Sequence, residues 1–335
     1  MRKIVLVSVS LMMMLLVVAG CGGANAGTEG NEKQGDELID VKMMIDWTPN
    51  TNHTGIYVAL ENGYYKDHGL NVTIINPGEI PPEQVVSAGT VEFGIGNQEN
   101  VTQARIQDVP LVSLAAIIQH NTSGFAAPAS KNIKSPKDFA GKVYGSYGGE
   151  PERAIIKTLM EKEGADIEQV KFVNVGTTEF FAAVEQDIDF LWVFYAWTGI
   201  EAELRNEPID MIYVNEFSEK LDYYTPVIVT NEQMINERTD VVKAFMAATS
   251  EGYEFAIDKP EEAAEILLKA APELDRELVI ASQKWLSPRY KEDALRWGEQ
   301  SRDVWRLYGE WMYDNGLIEK QLEVDQAYTN DFLPE

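Results

Sequence analysis

Short apolar runs alternate with amphipathic segments along most of the chain. The apolar runs predict strands at residues 41–45, 71–75, 91–95, 111–118, 142–145, 170–175, 190–195 and 209–214. The segments between them predict helices, of which the clearest span residues 55–67, 98–106 and 151–163. Because strands that alternate with helices are typical of parallel βαβ units, the pattern predicts an α/β protein.

The alternation also predicts two α/β lobes that are joined twice. One set of strands and helices occupies residues 38–122, and a second occupies residues 123–225. From residue 232 onward we expect helices only, and since these need a sheet to pack on, residues 226–335 are predicted to complete the first lobe. Crossings near residues 119–124 and 223–226 would form a hinge, and a cleft between hinged lobes suits a ligand.

The first 20 residues predict a secretory signal. Arg2 and Lys3 precede an apolar run at residues 4–18, which is shorter than the roughly 20 residues of a membrane span. Cys21 follows the small residues that close this run, as in a bacterial lipobox, whose cysteine is lipidated. With residues 21–37 as a flexible tether, we expect an extracytoplasmic protein anchored by lipid to the outer face of the cell membrane. The alternative is an ordinary buried cysteine behind a conventional signal peptide.

The composition removes several classes of function. The chain has 28 lysine and arginine residues against 54 aspartate and glutamate residues, a net charge of −26. A field of that sign repels nucleic acids. Cys21 is the only cysteine, which excludes an internal disulfide. The histidines, His53, His68 and His120, lack the spacing of a zinc site, so we expect no metal, and we predict no catalytic role for His53 or His68.

Aromatic, acidic and amide side chains follow the predicted strands. Ligands of open α/β sheets lie beyond the carboxyl ends of the strands. The residues that follow the predicted strands are therefore candidates for ligand binding: Asp46, Trp47, Asn50, Asn97, Gly149, Glu150, Tyr195, Trp197 and, more weakly, Glu216. Trp47 and either Tyr195 or Trp197 would enclose a flat heteroaromatic ring, whose edge the acids and amides would read. The backbone N–H groups near Gly149 could receive an anion or a polar ligand atom. Alternatively, Asp46 caps a turn, Asn50 and Asn97 only form turns, and one of Tyr195 and Trp197 belongs to the core.

Two motifs carry a resemblance to a known family. Residues 44–59 read MIDWTPNTNHTGIYVA, and residues 63–70 read GYYKDHGL. Together they resemble the opening signature of the family that contains thiamine-pyrimidine synthases and their bacterial transport relatives, and residues 87–95 and 141–143 stand where further signatures would fall. The resemblance covers residues 40–270 and implies a type II periplasmic-binding-protein fold, with two hinged α/β lobes and a ligand cleft between them.

The family has an enzymatic branch and a transport branch. The fungal synthases use a lysine that holds a pyridoxal cofactor, a histidine and a cysteine-rich motif. In this chain Asn62 stands where the lysine would align, no histidine stands near Asn100 where theirs would align, and no cysteine follows Cys21. The resemblance thus implies no cofactor. The resemblance therefore implies a non-enzymatic receptor that delivers a formylaminopyrimidine-like ligand to the permease and ATPase subunits of an ABC importer for thiamine salvage. The alternatives are an extracytoplasmic pyrimidine-modifying enzyme, or a receptor for a sulfonate, nitrate or a riboflavin precursor.

Overall fold

The computed structural model describes residues 37–78 and 80–335. The predicted signal, the lipidation site Cys21 and all but the last residue of the predicted tether lie outside these residues. No helix in the described ranges is long and apolar enough to cross a membrane.

Ten strands form two five-stranded sheets. In chain order they are β1 (Ile39–Met44), β2 (Leu70–Ile75), β3 (Phe93–Gly96), β4 (Leu111–Ala116), β5 (Ser123–Pro128), β6 (Val143–Ser146), β7 (Lys171–Asn174), β8 (Phe190–Phe194), β9 (Ile209–Tyr213) and β10 (Val227–Asn231). The first sheet has the order β2-β1-β3-β10-β4, and the second has the order β7-β6-β8-β5-β9. Each sheet with its helices forms one lobe.

Helices cover the sheets and fill the C-terminal part of the chain. They are α1 (Thr54–Glu61), α2 (Tyr64–Asp67), α3 (Pro82–Ser87), α4 (Gln98–Ile106), α5 (Glu150–Lys162), α6 (Phe180–Val184), α7 (Ile200–Arg205), α8 (Glu232–Glu237), α9 (Thr239–Asp258), α10 (Pro260–Ala270), α11 (Arg276–Leu286), α12 (Arg302–Asp314) and α13 (Val324–Ala327). The single helix predicted over residues 55–67 is two helices, because Gly63 adopts a φ of 82° between α1 and α2, a conformation that glycine adopts without a steric penalty.

Each sheet is mixed: the predicted parallel pairs are present, and one antiparallel strand joins them. β10 pairs antiparallel with both β3 and β4, and β5 pairs antiparallel with both β8 and β9. β5 and β10 are the strands that follow the two crossings between lobes. Strands that are linked by helical crossovers within one lobe are parallel to each other. A strand that the chain reaches from the other lobe enters the sheet at the opposite end, so β5 and β10 are antiparallel to their neighbours.

The C-terminal part is also less regular than predicted. Residues 290–301 and 315–323 are turns and irregular backbone rather than helix. In addition, α12 packs against both lobes and not only against the first. Trp305 packs in a cluster with Val227 of the first sheet, whereas Tyr308 and Trp311 join the cluster of Phe125 in the second sheet. This helix therefore ties both lobes together.

The two crossings, at residues 117–122 and 214–226, are joined through a histidine. His120 Nδ1 lies 2.6 Å from Asp222 Oδ2 on the other crossing, and its Nε2 lies 3.1 Å from Asp293 Oδ1. Asp222 Oδ1 also accepts a hydrogen bond from the backbone N–H of Asn121 at 2.8 Å. An imidazole that faces a carboxylate at each nitrogen donates from both, so His120 is an imidazolium in this arrangement.

Candidate functional site

A cavity of about 360 Å³ lies at the carboxyl ends of β1 and β3, a volume typical of small-molecule sites. Asp46 follows β1 and Asn97 follows β3, and both line the cavity together with Asn100 and Glu83. The other residues that line the cavity include the uncharged Pro77, Gly78, Ile80, Pro81 and Pro82. The structure thus brings together two of the predicted site residues, Asp46 and Asn97.

Asp46 is held by a buried histidine for which the sequence offered no partner. His53 Nε2 lies 2.7 Å from Asp46 Oδ1, and the His53 ring is fully buried. The backbone N–H of Asn50 donates to His53 Nδ1 at 3.3 Å. Since Nδ1 accepts, the proton of the neutral ring is on Nε2, which donates to Asp46. The side chain of Asp46 is 39% exposed, and its second oxygen is available to a ligand.

The turn that carries Asp46 and Trp47 rests on the helices behind it. Asn50 caps the short helix Thr51–His53, with its Oδ1 accepting from the Asn52 N–H at 2.9 Å. Tyr253 of α9 donates its hydroxyl to the Asn52 carbonyl at 2.7 Å. The Thr51 and Ser282 hydroxyls lie 2.7 Å apart. Asn50 therefore has a structural role, and the turn is fixed before any ligand arrives.

Trp47 remains outside the core, with 53% of its surface exposed. It stacks on no other aromatic ring in the described part of the chain. An indole that is exposed beside a fixed carboxylate is available to stack on a flat ligand.

At the carboxyl end of β3, the side chain of Glu83 contacts other residues that line the cavity. Asn97 caps α4 by accepting the Asn100 N–H at 2.8 Å, and the Asn100 amide donates to Glu83 Oε1 at 2.8 Å. A Cβ at position 96 would lie 2.8 Å from Glu83 Oε1, so glycine at that position leaves room for the carboxylate against β3. Burial raises the pKa of Glu83, and the charge of Asp46 adds to the increase.

Two further acids face each other where the lobes meet. Burial raises the pKa of Glu99, in the first turn of α4, to about 7, and the charges of Glu152 and Glu83 contribute to this shift. Glu99 accepts a hydrogen bond from the Tyr308 hydroxyl at 3.1 Å. Glu152, in the first turn of α5, accepts from the Tyr144 hydroxyl at 2.6 Å. In the described ranges, no group of three or more His, Cys, Asp or Glu side chains is arranged to hold a metal ion.

The backbone N–H groups that were expected to receive an anion are already used by the protein. The Gly149 N–H donates to Glu152 Oε1 at 2.9 Å, and the Tyr147 N–H donates to Oε2 at 3.1 Å. The Gly148 N–H donates to the Ser146 hydroxyl at 2.9 Å. Glu152 therefore occupies the predicted anion position, while Glu150 is exposed at the start of α5.

The remaining predicted residues lie around the turn that follows β8. The Tyr195 ring lies 5.2 Å from that of Trp285 and 6.0 Å from that of Tyr213, and its hydroxyl donates to Glu203 at 2.5 Å. Trp197 packs against a cluster formed by α1, α10 and α11. Glu216 is exposed, and its charge contributes to the raised pKa of Tyr213, which burial brings to about 12. These three are not among the residues that line the cavity.

Sequence reasoning missed the partners that orient the candidates. Four residues could not be identified from the sequence, because the contacts that they make form only in the folded chain. They are His53, Glu83, Glu99 and Glu152. A weak signal was present for the last two, since an acidic residue in a first helical turn after a strand lies at the ligand edge of the sheet.

Residues 50–263 match the model of a family described as NMT1/THI5 like. A formylaminopyrimidine-binding protein of Halalkalibacterium halodurans is 29% identical over 336 residues, which cover 96% of this chain and 97% of that protein. A 4-amino-5-hydroxymethyl-2-methylpyrimidine phosphate synthase of Legionella pneumophila is 26% identical over 304 residues, which cover 88% of this chain and 92% of that protein.

A solved structure with the same architecture is the periplasmic aliphatic sulphonate-binding protein SsuA of Escherichia coli. Its TM-score is 0.69 at 12% identity, with 88% of this chain and 94% of that chain covered. Identity at this level carries the fold alone. The two mixed sheets and this likeness confirm the predicted two-lobe periplasmic-binding-protein fold.

Proposed function

The chain belongs to the NMT1/THI5-like family, and on this premise we propose that it is the substrate-binding component of an ABC importer that captures a formylaminopyrimidine-like ligand. The protein would be a non-enzymatic receptor without a cofactor, and its ligand would serve thiamine salvage. It would stand outside the cytoplasm, anchored by lipid at Cys21, and deliver the ligand to permease and ATPase subunits.

The observation that carries this proposal is the carboxylate of Asp46, which a buried His53 fixes beside the cavity. An aminopyrimidine presents an amino donor and ring nitrogens on one flat edge. A fixed carboxylate and neighbouring amides such as that of Asn97 offer acceptors and donors to that edge, and Trp47 offers a face for stacking. The full-length similarity to a formylaminopyrimidine-binding protein supports the same ligand class.

Delivery to a permease is supported by the arrangement of the lobes. A ligand that contacts both lobes favours the conformation in which they are closed, because it makes all of its contacts only there. The candidate residues Gly149, Glu150 and Glu216 belong to the second lobe. The turn after β8 lies between the lobes, since the Tyr195 ring lies beside that of Trp285 of α11 and Trp197 packs against α1, α10 and α11. We propose that closure brings one of Tyr195 and Trp197 toward the ligand ring.

Calorimetric titration of the purified protein tests the ligand class. We expect one formylaminopyrimidine per chain, bound more tightly than riboflavin, nitrate or an alkanesulfonate. The two anions need a cationic partner, and no lysine or arginine lines the cavity in the described ranges. Tighter binding of an anion or of riboflavin than of the pyrimidine would contradict the proposal.

The second candidate is a pyrimidine-modifying enzyme, which the similarity to the Legionella synthase favours. A receptor leaves its ligand unchanged at any protein-to-ligand ratio, whereas an enzyme converts an excess of it. Incubation of catalytic amounts of protein with formylaminopyrimidine, followed by mass spectrometry, separates the two. Turnover in this assay would make the chain an enzyme.

Anchoring at Cys21 is tested by a single substitution. Cys21→Ser removes the thiol that lipidation requires, so we expect the variant in the soluble extracytoplasmic fraction or the medium, with unchanged ligand affinity. Fractionation and immunoblotting measure the distribution. A serine variant that stays in the membrane fraction would contradict the lipid anchor.

A further inference from the structure

Two carboxylates border the cavity without a cation to balance them. Asp46 and Glu83 both line it, and Glu83 is only 8% exposed. The hydrogen bond from Asn100 to Glu83 Oε1 satisfies one oxygen with a neutral amide. Within the described ranges, no lysine or arginine is among the lining residues. Burial of a carboxylate is costly unless an opposite charge or a proton accompanies it.

The elements packed around Glu83 add negative charge. Asp46 faces it from the turn after β1 and Glu99 from α4, while Glu152 of α5 acts on Glu99 from the second lobe. The strand behind it, β3, contributes Phe93–Gly96 and no charged side chain. No lysine or arginine is among the described groups that act on Glu83 or Glu99. The charged groups that act on Glu83 and Glu99 are therefore negative, and so is the field at these two carboxylates.

We infer that the ligand binds as a cation, and that Glu83 and Asp46 select the ring-protonated form of an aminopyrimidine. The inference rests on the proposed function and specifies the charge of its ligand. Protonation of the ring nitrogen beside the amino group gives two parallel N–H donors that share a positive charge. This amidinium-like edge matches a carboxylate in the same two-point geometry that a guanidinium uses. The proton comes from solvent when the free ligand is neutral.

The acids in the ligand-free protein fit this assignment. Burial, with the charge of Asp46 as a further contribution, raises the pKa of Glu83, and burial raises that of Glu99 to about 7. Raised pKa values mean that these carboxylates are destabilised when charged and alone. A bound cation removes that penalty, whereas a neutral or anionic ligand does not.

The test reads the protonation state of the bound ligand directly. Formylaminopyrimidine labelled with ¹⁵N in the ring is added to the full chain at a pH one or two units above the pKa of the free ligand, and its ¹⁵N resonances are recorded by NMR. We expect the bound ring nitrogen at the shift of the protonated ring. A bound resonance at the neutral position would overturn the inference.

Substitution of Glu83 tests whether its negative charge stabilises the protonated ligand. Glu83→Gln keeps the shape and removes the negative charge, so we expect at least about a tenfold loss of affinity and a bound resonance displaced toward the neutral position. Glu168→Gln is the matched control, since the Glu168 side chain is 73% exposed and pairs with Arg153, and it should leave both unchanged. Thermal melts of the ligand-free variants separate loss of folding from loss of binding.

A second ligand keeps the result independent of any variant. The 4-oxo analogue of the pyrimidine has nearly the same shape but a much less basic ring. We expect it to bind at least about tenfold more weakly to the wild type than the 4-amino compound. Equal affinities would overturn the inference while leaving a pyrimidine receptor in place. If neither pyrimidine binds to the wild type, the proposed function fails and the inference fails with it.

Discussion

Trp47 stands in the turn after β1 with 53% of its surface exposed, although tryptophan usually buries most of its area. If the indole stacks on the ligand, Trp47→Ala removes roughly 1–3 kcal/mol by analogy with base stacking, so affinity should fall about 5- to 150-fold. Trp47→Phe should recover part of the loss. The melting temperature should hardly change, and calorimetry with thermal melts measures both. A large fall in melting temperature with near-normal affinity would place Trp47 in the core.

Asp46 allows a substitution that separates charge from position. Asp46→Asn keeps an oxygen that accepts the His53 Nε2–H, so the turn should stay in place. The negative charge that faces the ligand is lost, and a hydrogen bond to a charged group contributes about 1.5–3 kcal/mol. We expect an affinity for formylaminopyrimidine that is about 10- to 150-fold lower, measured by calorimetry, with a normal melting temperature. Unchanged affinity would exclude Asp46 from ligand contact.

At the residue scale, the sequence could identify positions but not partners. Asp46, Trp47 and Asn97 are predicted as site residues because they follow strands, which is a local property, and two of them, Asp46 and Asn97, line the cavity. The pairing of Asp46 with His53 depends on how the intervening turn closes. The raised pKa of Glu83 and the occupation of the Gly149 N–H by Glu152 depend on burial and on distant side chains. No local pattern determines those contacts.

The helices α1 and α9 pack so closely behind the site that glycine is required where they meet. A Cβ added at Gly252 would lie 2.0 Å from the Gly55 carbonyl oxygen, which is backbone and cannot rotate away. Gly252→Ala should therefore destabilise the protein by at least about 1–3 kcal/mol. It should also weaken ligand binding, since Tyr253 next to it supports the Asn52 carbonyl.

Urea denaturation of the Gly252 variant measures the effect on stability. Gly78→Ala is the control for stability, because an added carbon there meets nothing within 4 Å. Similar free energies of unfolding for the two variants would show that the helices separate at little cost.

Among the elements, those set by local signals were predicted best. The helix predicted at residues 98–106 has the observed bounds Gln98–Ile106, since Asn97 provides an N-cap in the sequence itself. Strand direction is different. β5 and β10 have ordinary apolar sequences, and only the path of the chain between the lobes makes them antiparallel. The dual packing of α12 likewise depends on the relative position of two sheets.

In the whole molecule, the imidazolium of His120 joins both crossings. Its hydrogen bond to Asp222, supported by Asp293, raises the pKa of His120 to about 9, against an ordinary value of about 6.5. A raised pKa stabilises the fold fully below the ordinary value, and this stabilisation is lost as the pH rises through about 9. His120→Gln should therefore lower the melting temperature most near pH 6, and the difference from wild type should close by about pH 10. Melts across this range measure it, and a constant difference would contradict the ion pairing.

The insertion of β10 between β3 and β4 determines when the first sheet can be finished. Val227 pairs with Gly96 on one side and with Ala116 on the other, so β4 has no strand neighbour in its sheet until residues 227–231 have been made. The second sheet consists of strands from the continuous stretch 123–213 and does not have to wait. During synthesis the strands of the second sheet can therefore pair first, while β3 and β4 present open edges to other chains. A nascent chain of this design needs protection from aggregation until residues 227–231 have been synthesised and have paired with β3 and β4.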